Sequence, residues 1–362
     1  MKKTVTVLLT KKCNLNCSYC YESHKCGEVV DVKVAKETIL NELSKDDGYD
    51  EIDFSFFGGE PFYAYKEIVE LYNYAKSVNT KNKKIVFSSI TNGTVLTEEM
   101  KNWLSEHKED FTTTLSLDGT KAMHDINRNN SYDLIDQEFF LRTYDPAYVK
   151  MTISQQTLDR MAEGIIFLTE KGFKLACNLA YGIKWTEENI SVLKEQLDAL
   201  VKYYSLHPEK EICSMLELPF MEIYHSYSTN KIYSCCSANR EACAYDLDGC
   251  RYPCHMFFPM NRDKECDIDS IEFSETGEVD KEKLDEKCRS CPIASVCQQC
   301  YGSNWLLSGN IYHVSDEVCK INKITFKAKA ILASILWDKG FISLTDEEEL
   351  AFLTSVILIN DM

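Results

Sequence analysis

The sequence predicts an α/β chain: a partial (β/α)6, TIM-like barrel, then a cysteine-rich region poor in regular structure, then a C-terminal helix. Three observations carry this. Strand-like and helix-like segments alternate through the first half, and 44% of the 362 residues are hydrophobic, enough for a sizeable core. Of the 17 cysteines, most lie beyond residue 230, where regular periodicity fades. The expected domains are a barrel at 1–190, a bridging region at 191–230, a cysteine-rich domain at 231–325 and a helical segment at 326–362.

Residues 5–9 form the first strand. They are no signal peptide, because Lys11, Lys12 and Cys13 follow at once and no small-residue cleavage site appears. Residues 34–43 have helical spacing, 52–57 are a strand running into Gly58-Gly59, and 68–75 are helical. Residues 84–90 are a strand followed by Asn92-Gly93, 98–104 a helix, and 112–117 a strand ending at Asp118-Gly119. After an irregular polar insertion at about 127–146, a strand at 149–153, a helix at 158–170 and a strand at 174–179 complete six units. A helix at about 187–204 leads out. From 235 to 319 Cys, Asp and turn residues dominate, so something other than a hydrophobic core must hold the chain together, until residues 321–336 close it as an amphipathic helix.

Forty Lys and Arg against 57 Asp and Glu leave a formal charge of −17. Nonspecific binding to nucleic acid or anionic membranes needs clustered cations, so neither partner is expected, and a basic partner suits the chain better. No apolar run approaches the ~18–20 residues that span a bilayer. A chain this long does not need disulfides to support a small core, which points to thiolate ligands in a reducing cytoplasm.

Cys13, Cys17 and Cys20 stand in C-x3-C-x2-C spacing directly after the first strand. Such a loop wraps three thiolates around one metal cluster and leaves one iron open to chemistry. On spacing alone, a structural zinc site and chance in a cysteine-rich chain remain alternatives. Further evidence comes from the carboxyl ends of later strands, where α/β barrels place their active sites: Phe57-Gly58-Gly59-Glu60-Pro61, Thr91-Asn92-Gly93, and Ser116-Leu117-Asp118-Gly119 followed by His124-Asp125 and Arg128.

Together these residues resemble the radical S-adenosylmethionine (radical SAM) superfamily, over roughly residues 4–180. The resemblance implies that Cys13, Cys17 and Cys20 ligate a 4Fe-4S cluster whose open iron chelates SAM. It also implies that Tyr19 lies beside the adenine and that Gly58, Gly59 and Glu60 receive the methionyl amino group. Ser116 is the best match for a contact to the methionyl or ribose part, with Asp118 and Arg128 as further SAM contacts.

Cys236, Gly249 and Cys254, followed by Cys288, Cys291, Cys297, Cys300 and Cys319, resemble the SPASM domain, with one interval between Cys297 and Cys300 shortened by a residue. The resemblance implies two auxiliary 4Fe-4S clusters. The first takes Cys236, Cys254 and Cys300; the second takes Cys288, Cys291, Cys297 and Cys319. Cys235 and Cys243 are candidates for the first cluster's fourth ligand, and an open iron binding a substrate thiolate is the alternative. Two zinc ribbons are the competing reading of the array. Cys26, Cys177, Cys213, Cys250 and Cys266 read as small apolar or surface residues.

The implied activity is SAM cleavage to a 5'-deoxyadenosyl radical, used to modify a ribosomally made peptide by a thioether or other cross-link or by epimerisation. An external low-potential donor supplies electrons, and the auxiliary clusters accept an electron or bind substrate. The alternative is formylglycine formation in a sulfatase. Maturases of that type carry an Asp directly after the cysteine matching Cys254, where this chain has His255. His255 is read either as a proton acceptor or as a hydrogen-bond partner of a cluster sulfur. A noncatalytic iron-sulfur electron-transfer protein is the reading from another class. Substrate recognition is expected from the barrel mouth, the 127–146 insertion or a separate protein, and the net charge points to a basic leader segment in the precursor. Tyr181, Trp185, Tyr245, Tyr301 and Trp305 read as packing residues.

Overall fold

The computed structural model describes every residue except 80, 262–267, 269, 270, 298 and 299, so Cys266 lies outside the described residues. The strands are β1 (Lys2–Thr10), β2 (Glu51–Gly58), β3 (Lys84–Thr91), β4 (Phe111–Ser116), β5 (Tyr148–Ile153), β6 (Lys174–Leu179), β7 (Ala242–Tyr245) and β8 (Arg251–Tyr252). Their order in the sheet is β6-β5-β4-β3-β2-β1-β7-β8. Neighbours from β1 to β5 pair in parallel. The connections carry α1 (Val32–Ser44), α2 (Tyr65–Ser77), α3 (Glu98–Glu106), α4 (Lys121–Asn127), α5 (Gln137–Thr143) and α6 (Met161–Glu170). Six successive strands laid side by side with helical crossovers are the wall of the expected partial barrel, and β6 and β8 remain as edges.

The alternation along β2 shows why the sheet forms. Ile52, Phe54 and Phe56 are fully buried, while Asp53, Ser55 and Phe57 point the other way. Phe54 and Phe56 pack on Phe87 of β3, which stacks on Phe111 of β4 with centroids 6.1 Å apart. Each such ring contributes about 1.5–3 kcal/mol by burial.

Two elements depart from the sequence reading. The four residues of β7 carry no strand periodicity that stands out, yet they pair in parallel with β1 from Thr4↔Ala242 to Val7↔Tyr245, and β8 adds an antiparallel partner. The 127–146 insertion is not irregular throughout. Asp136 caps α5 by accepting from the Phe139 backbone, and Phe139 and Phe140 are both buried.

The chain divides into two compact units. The first is Met1–Leu117, Arg128–Lys150 and Ser237–Phe273; the second is Asp118–Asn127, Met151–Cys236 and Ser274–Met362. The second unit holds α7 (Glu187–Leu206), α8 (Phe220–Thr229), α9 (Glu286–Arg289), α10 (Tyr301–Ser308), α11 (Asp316–Asp338) and α12 (Asp346–Asn360). The boundaries expected at 190 and 325 fall inside α7 and α11. Capping boxes at Thr186 and Thr345 start α7 and α12. Ile223, Ile293, Phe326, Ala330 and Ile359 form a core of this unit.

A buried ionic network ties β1, α1 and β7 in the first unit. Glu42, with no exposed surface, accepts from Lys3 at 2.7 Å, Lys45 at 2.5 Å and the Tyr245 hydroxyl, and Lys3 also reaches Asp47 at 2.9 Å. Burial alone would raise the Glu42 pKa, but the hydrogen bonds from Lys3, Lys45 and Tyr245 outweigh it and hold the carboxyl below its usual range. Lys3→Met removes one of three donors to this carboxylate, leaving Lys45 and Tyr245, and is expected to cost about 1.5–3 kcal/mol at pH 7, measured by urea unfolding. Because the folded Glu42 pKa is depressed, the wild-type advantage is full above the unfolded value of about 4.3 and disappears as pH falls through the folded value. A wild-type advantage unchanged well below that range would contradict the assignment.

Candidate active site

β1 ends at Thr10 and the three-cysteine loop begins at once. The turn after β2 lies directly against that loop: the Gly59 amide donates to the Thr10 carbonyl at 3.0 Å and the Glu60 amide to the Lys12 carbonyl at 2.8 Å. A methyl group on Gly58 would collide with the Thr10 carbonyl. One on Gly59 would sit 2.7 Å from the Lys12 oxygen and 2.9 Å from the Cys13 Cβ. Glycine is therefore required here for close approach of two backbone segments.

The thiols are partly exposed and sit among donors. The Leu15 amide donates to Cys13 Sγ at 3.4 Å, and the Asn92 side-chain amide lies 4.0 Å from the same sulfur. The Lys25 ammonium, which donates to the Leu15 carbonyl at 3.2 Å, is held above its ordinary pKa. Burial opposes the charge, but Cys20 and Cys13 favour it more strongly. Burial raises the Cys13 pKa, with the Leu15 amide and Lys25 opposing. Among the described residues no three His, Cys, Asp or Glu side chains converge on a single metal ion. Three thiols on one loop, with an ammonium and amides turned towards the sulfurs, fit a larger thiolate-ligated cluster, whose net negative charge such donors stabilise.

Glu60 is buried beside this loop. It accepts from Thr91 Oγ1 at 2.8 Å, the Asn92 amide at 2.7 Å and the Phe62 amide at 3.2 Å. Burial pushes its pKa up to about 7, against the lowering effect of these donors and of Arg128. A desolvated carboxylate with hydrogen bonds but little countercharge suits an incoming ammonium group. Arg128 lies over the Tyr19 ring, 5.5 Å from its centroid. Ser116 ends β4, buried, with its backbone paired to Lys150.

Asp118, in the second unit, is engaged locally. It accepts from the Thr152 amide at 2.9 Å and from Asn127 at 3.2 Å, and its own amide donates to His124 Nδ1 at 3.2 Å. His255, in the first unit, packs its ring on Phe57 at 4.8 Å and near Tyr21 at 6.2 Å. Burial, with Lys150 adding to it, pushes the His255 pKa down to about 4, so its imidazole is neutral at pH 7.

The later cysteines occupy both units. Cys254 precedes His255 in the first, and Cys243 is buried on β7, where burial and Glu42 raise its pKa. In the second unit, Cys235 Sγ donates to the Cys297 carbonyl at 2.9 Å, and Cys300 caps α10 by accepting from the Ser303 amide at 3.4 Å. Burial raises the pKa of Tyr181, with Cys300, Cys235 and Cys236 adding to it. Cys288, Cys291 and Cys319 act on one another electrostatically, and Asn322 of α11 donates to Cys297 Sγ at 2.9 Å. A cavity of about 370 Å³ in this unit is lined in part by Tyr181, Trp185, Asn178, Cys300, Asn304 and His313.

Residues 7–197 match the radical SAM superfamily. A cysteine-type anaerobic sulfatase-maturating enzyme of Clostridium perfringens (strain 13 / Type A) is 26% identical over 330 residues, covering 79% of this chain and 85% of that protein. The fold resembles native anSMEcpe with bound AdoMet and Cp18Cys peptide, at TM-score 0.69 and 21% identity over 93% of this chain and 99% of that one. It also resembles Streptococcus suis SuiB bound to precursor peptide SuiA, at TM-score 0.57 and 16% identity over 88% and 76%. The α/β architecture is thus shared with both of these structures. The chain belongs to the radical SAM superfamily, whose members bind SAM and an iron-sulfur cluster.

Sequence reasoning passed over the residues that hold the site in place. Thr91 and Asn92 were singled out at a strand end but given no role, although both bond to Glu60, and Asn92 also lies beside Cys13. Lys25, five residues after Cys20, carried no motif at all; a lone cation close to a cysteine run is the signal that would have found it. Gly59→Ala is expected to displace the Cys13 loop, so that anaerobically reconstituted protein loses SAM-cluster iron while Gly27→Ala, whose added methyl meets nothing within 4 Å and whose backbone is not left-handed, keeps it. Full iron and sulfide content in Gly59→Ala would overturn this account of the turn.

Proposed function

We propose that this chain is a radical SAM enzyme that modifies a ribosomally made peptide, by cross-linking or epimerisation. The observation that carries the reading is the clamp of Gly59 and buried Glu60 on the three-cysteine loop, which sets a carboxylate beside the thiols. A cluster held by Cys13, Cys17 and Cys20, with SAM bound, supplies a 5'-deoxyadenosyl radical that abstracts hydrogen. The chain's own part is to receive the SAM ammonium at Glu60 and the Gly58-Gly59 turn, to hold the adenine at Tyr19 under Arg128, and to place Ser116 towards the methionyl or ribose part. Asp118 fixes the backbone at Thr152. His255, neutral and packed on Phe57, serves as a hydrogen-bond partner close to Cys254.

Within the second unit, Cys288, Cys291, Cys297 and Cys319 would hold one auxiliary cluster, and Cys235, Cys236 and Cys300 would ligate another. In cross-linking, which oxidises the peptide, such clusters would take up the electron that the substrate radical loses, and an external low-potential protein would carry it away; in epimerisation the radical regains a hydrogen atom and no electron leaves. The enzyme works in the cytoplasm; among the described residues no helix is long and apolar enough to cross a membrane. The precursor carries a basic leader suited to the −17 charge. Formylglycine formation is the second reading, favoured by the sulfatase-maturating relative that spans most of this chain, with His255 at the position of that family's Asp as the feature against it.

Anaerobic incubation with SAM, dithionite and peptides encoded beside the gene separates the readings by mass spectrometry. Loss of two hydrogens from a Cys-containing peptide marks a cross-link, and deuterium uptake at one Cα marks epimerisation. An aldehyde at Cys or Ser marks the maturase reaction. The triple variant Cys13→Ala, Cys17→Ala, Cys20→Ala is expected to keep auxiliary iron and form no 5'-deoxyadenosine; activity surviving in it would sink the central assignment.

A further inference from the structure

A cavity of about 760 Å³ in the second unit brings Lys231, Lys281, Lys287, Arg289 and Lys323 together around Cys291. On a chain of net charge −17, this is a local reversal of sign. The one side-chain carboxylate in the wall is Asp361. Three of the cations have carboxylate partners: Lys231 with Glu278 at 2.7 Å, Lys287 with Asp316 at 2.5 Å and Arg289 with Glu282 at 3.2 Å. These pairs are solvent-exposed, so they hold the side chains only weakly and leave the cations available to a stronger anionic surface. Lys281 donates to Asn230 Oδ1 at 2.8 Å, and neither it nor Lys323 has a carboxylate partner among the described residues. The cations come from separated segments, the end of α8, the turn before α9, α9 itself and α11, so the fold and not a local charge run assembles them.

We propose that this basic cavity is the docking surface of an acidic one-electron carrier protein. The inference rests on the reading that Cys288, Cys291, Cys297 and Cys319 hold a cluster. Cys291 in the wall is what selects a carrier over an acidic substrate peptide, since interprotein electron transfer needs close approach to the redox centre and a substrate peptide does not need to meet this cluster. In the transfer, the cluster, reduced by the electron that the substrate radical has lost, gives one electron to the oxidised carrier; no bond forms. Complementary charge speeds and orients such an encounter, and the small, short-lived interfaces typical of redox partners suit a rim of exposed lysines.

The test is calorimetric binding of an acidic flavodoxin to the anaerobically reconstituted enzyme at low and physiological salt, comparing wild type with the double variant Lys281→Glu, Lys323→Glu. The variant is expected to bind roughly tenfold or more weakly at low salt and to show a flatter salt dependence. Its iron content, thermal unfolding and dithionite-driven 5'-deoxyadenosine formation should match wild type. Equal affinity and salt dependence in the two proteins, or no binding to wild type at low salt, overturns the proposal. So does a variant that keeps its flavodoxin affinity and loses affinity for an acidic peptide. Failure of the underlying reading is seen separately: Cys288→Ala, Cys291→Ala would then lose no iron relative to wild type, whatever the flavodoxin titration shows.

Discussion

The close approach of the turn after β2 to the loop after β1 is the constraint on which the site depends. Two backbone segments share a space that admits no Cβ, so Gly58 and Gly59 are side-chain-free by necessity, and their amide and that of Glu60 bond to the Thr10 and Lys12 carbonyls. The same contact that positions the cysteines also drives the Glu60 carboxylate into the interior, where Thr91 and Asn92 satisfy it. The three-cysteine loop and the Glu60 carboxylate are thus set by one piece of packing. Parallel pairing of β1 with β2 brings both strand ends to the same rim, as the α/β arrangement requires.

The second unit works by different means. The helices α7, α8, α11 and α12 give it a hydrophobic core, but the segments carrying its cysteines are short turns and single-turn helices. Their thiols are held by individual hydrogen bonds, Cys235 to a carbonyl, Cys297 from Asn322, Cys300 from a helix amide. Burial keeps thiols such as Cys288 and Cys291 above their ordinary pKa. The two remaining buried thiols, Cys177 and Cys213, hydrogen-bond each other and behave as core residues; burial and that bond raise the Cys177 pKa.

Much of the fold was legible because period and spacing are local properties. The six strand–helix units, the Gly-Gly-Glu turn and the cysteine intervals are all written in short windows of sequence. β7 was hidden because four small and mixed residues acquire strand character only by pairing with β1. The helix in the 127–146 insertion was hidden because two buried phenylalanines sit among polar neighbours. Asp118 was legible as a strand-end acid, but not that its oxygens are occupied by Thr152 and Asn127.

The sequence by itself determined the chemistry on offer: three thiols in one loop, a glycine pair before a carboxylate, and a second array of cysteines. Residue type and spacing suffice for that, since a ligand set is a matter of which atoms a short loop carries. Only the tertiary structure decided the environment of those atoms. The pKa of Glu60 near 7, the neutral His255 and the gathering of five cations around one cavity with Cys291 in its wall arise from burial and from contacts between residues far apart in the chain. Desolvation and charge proximity depend on the packed surroundings, which no single window of sequence contains.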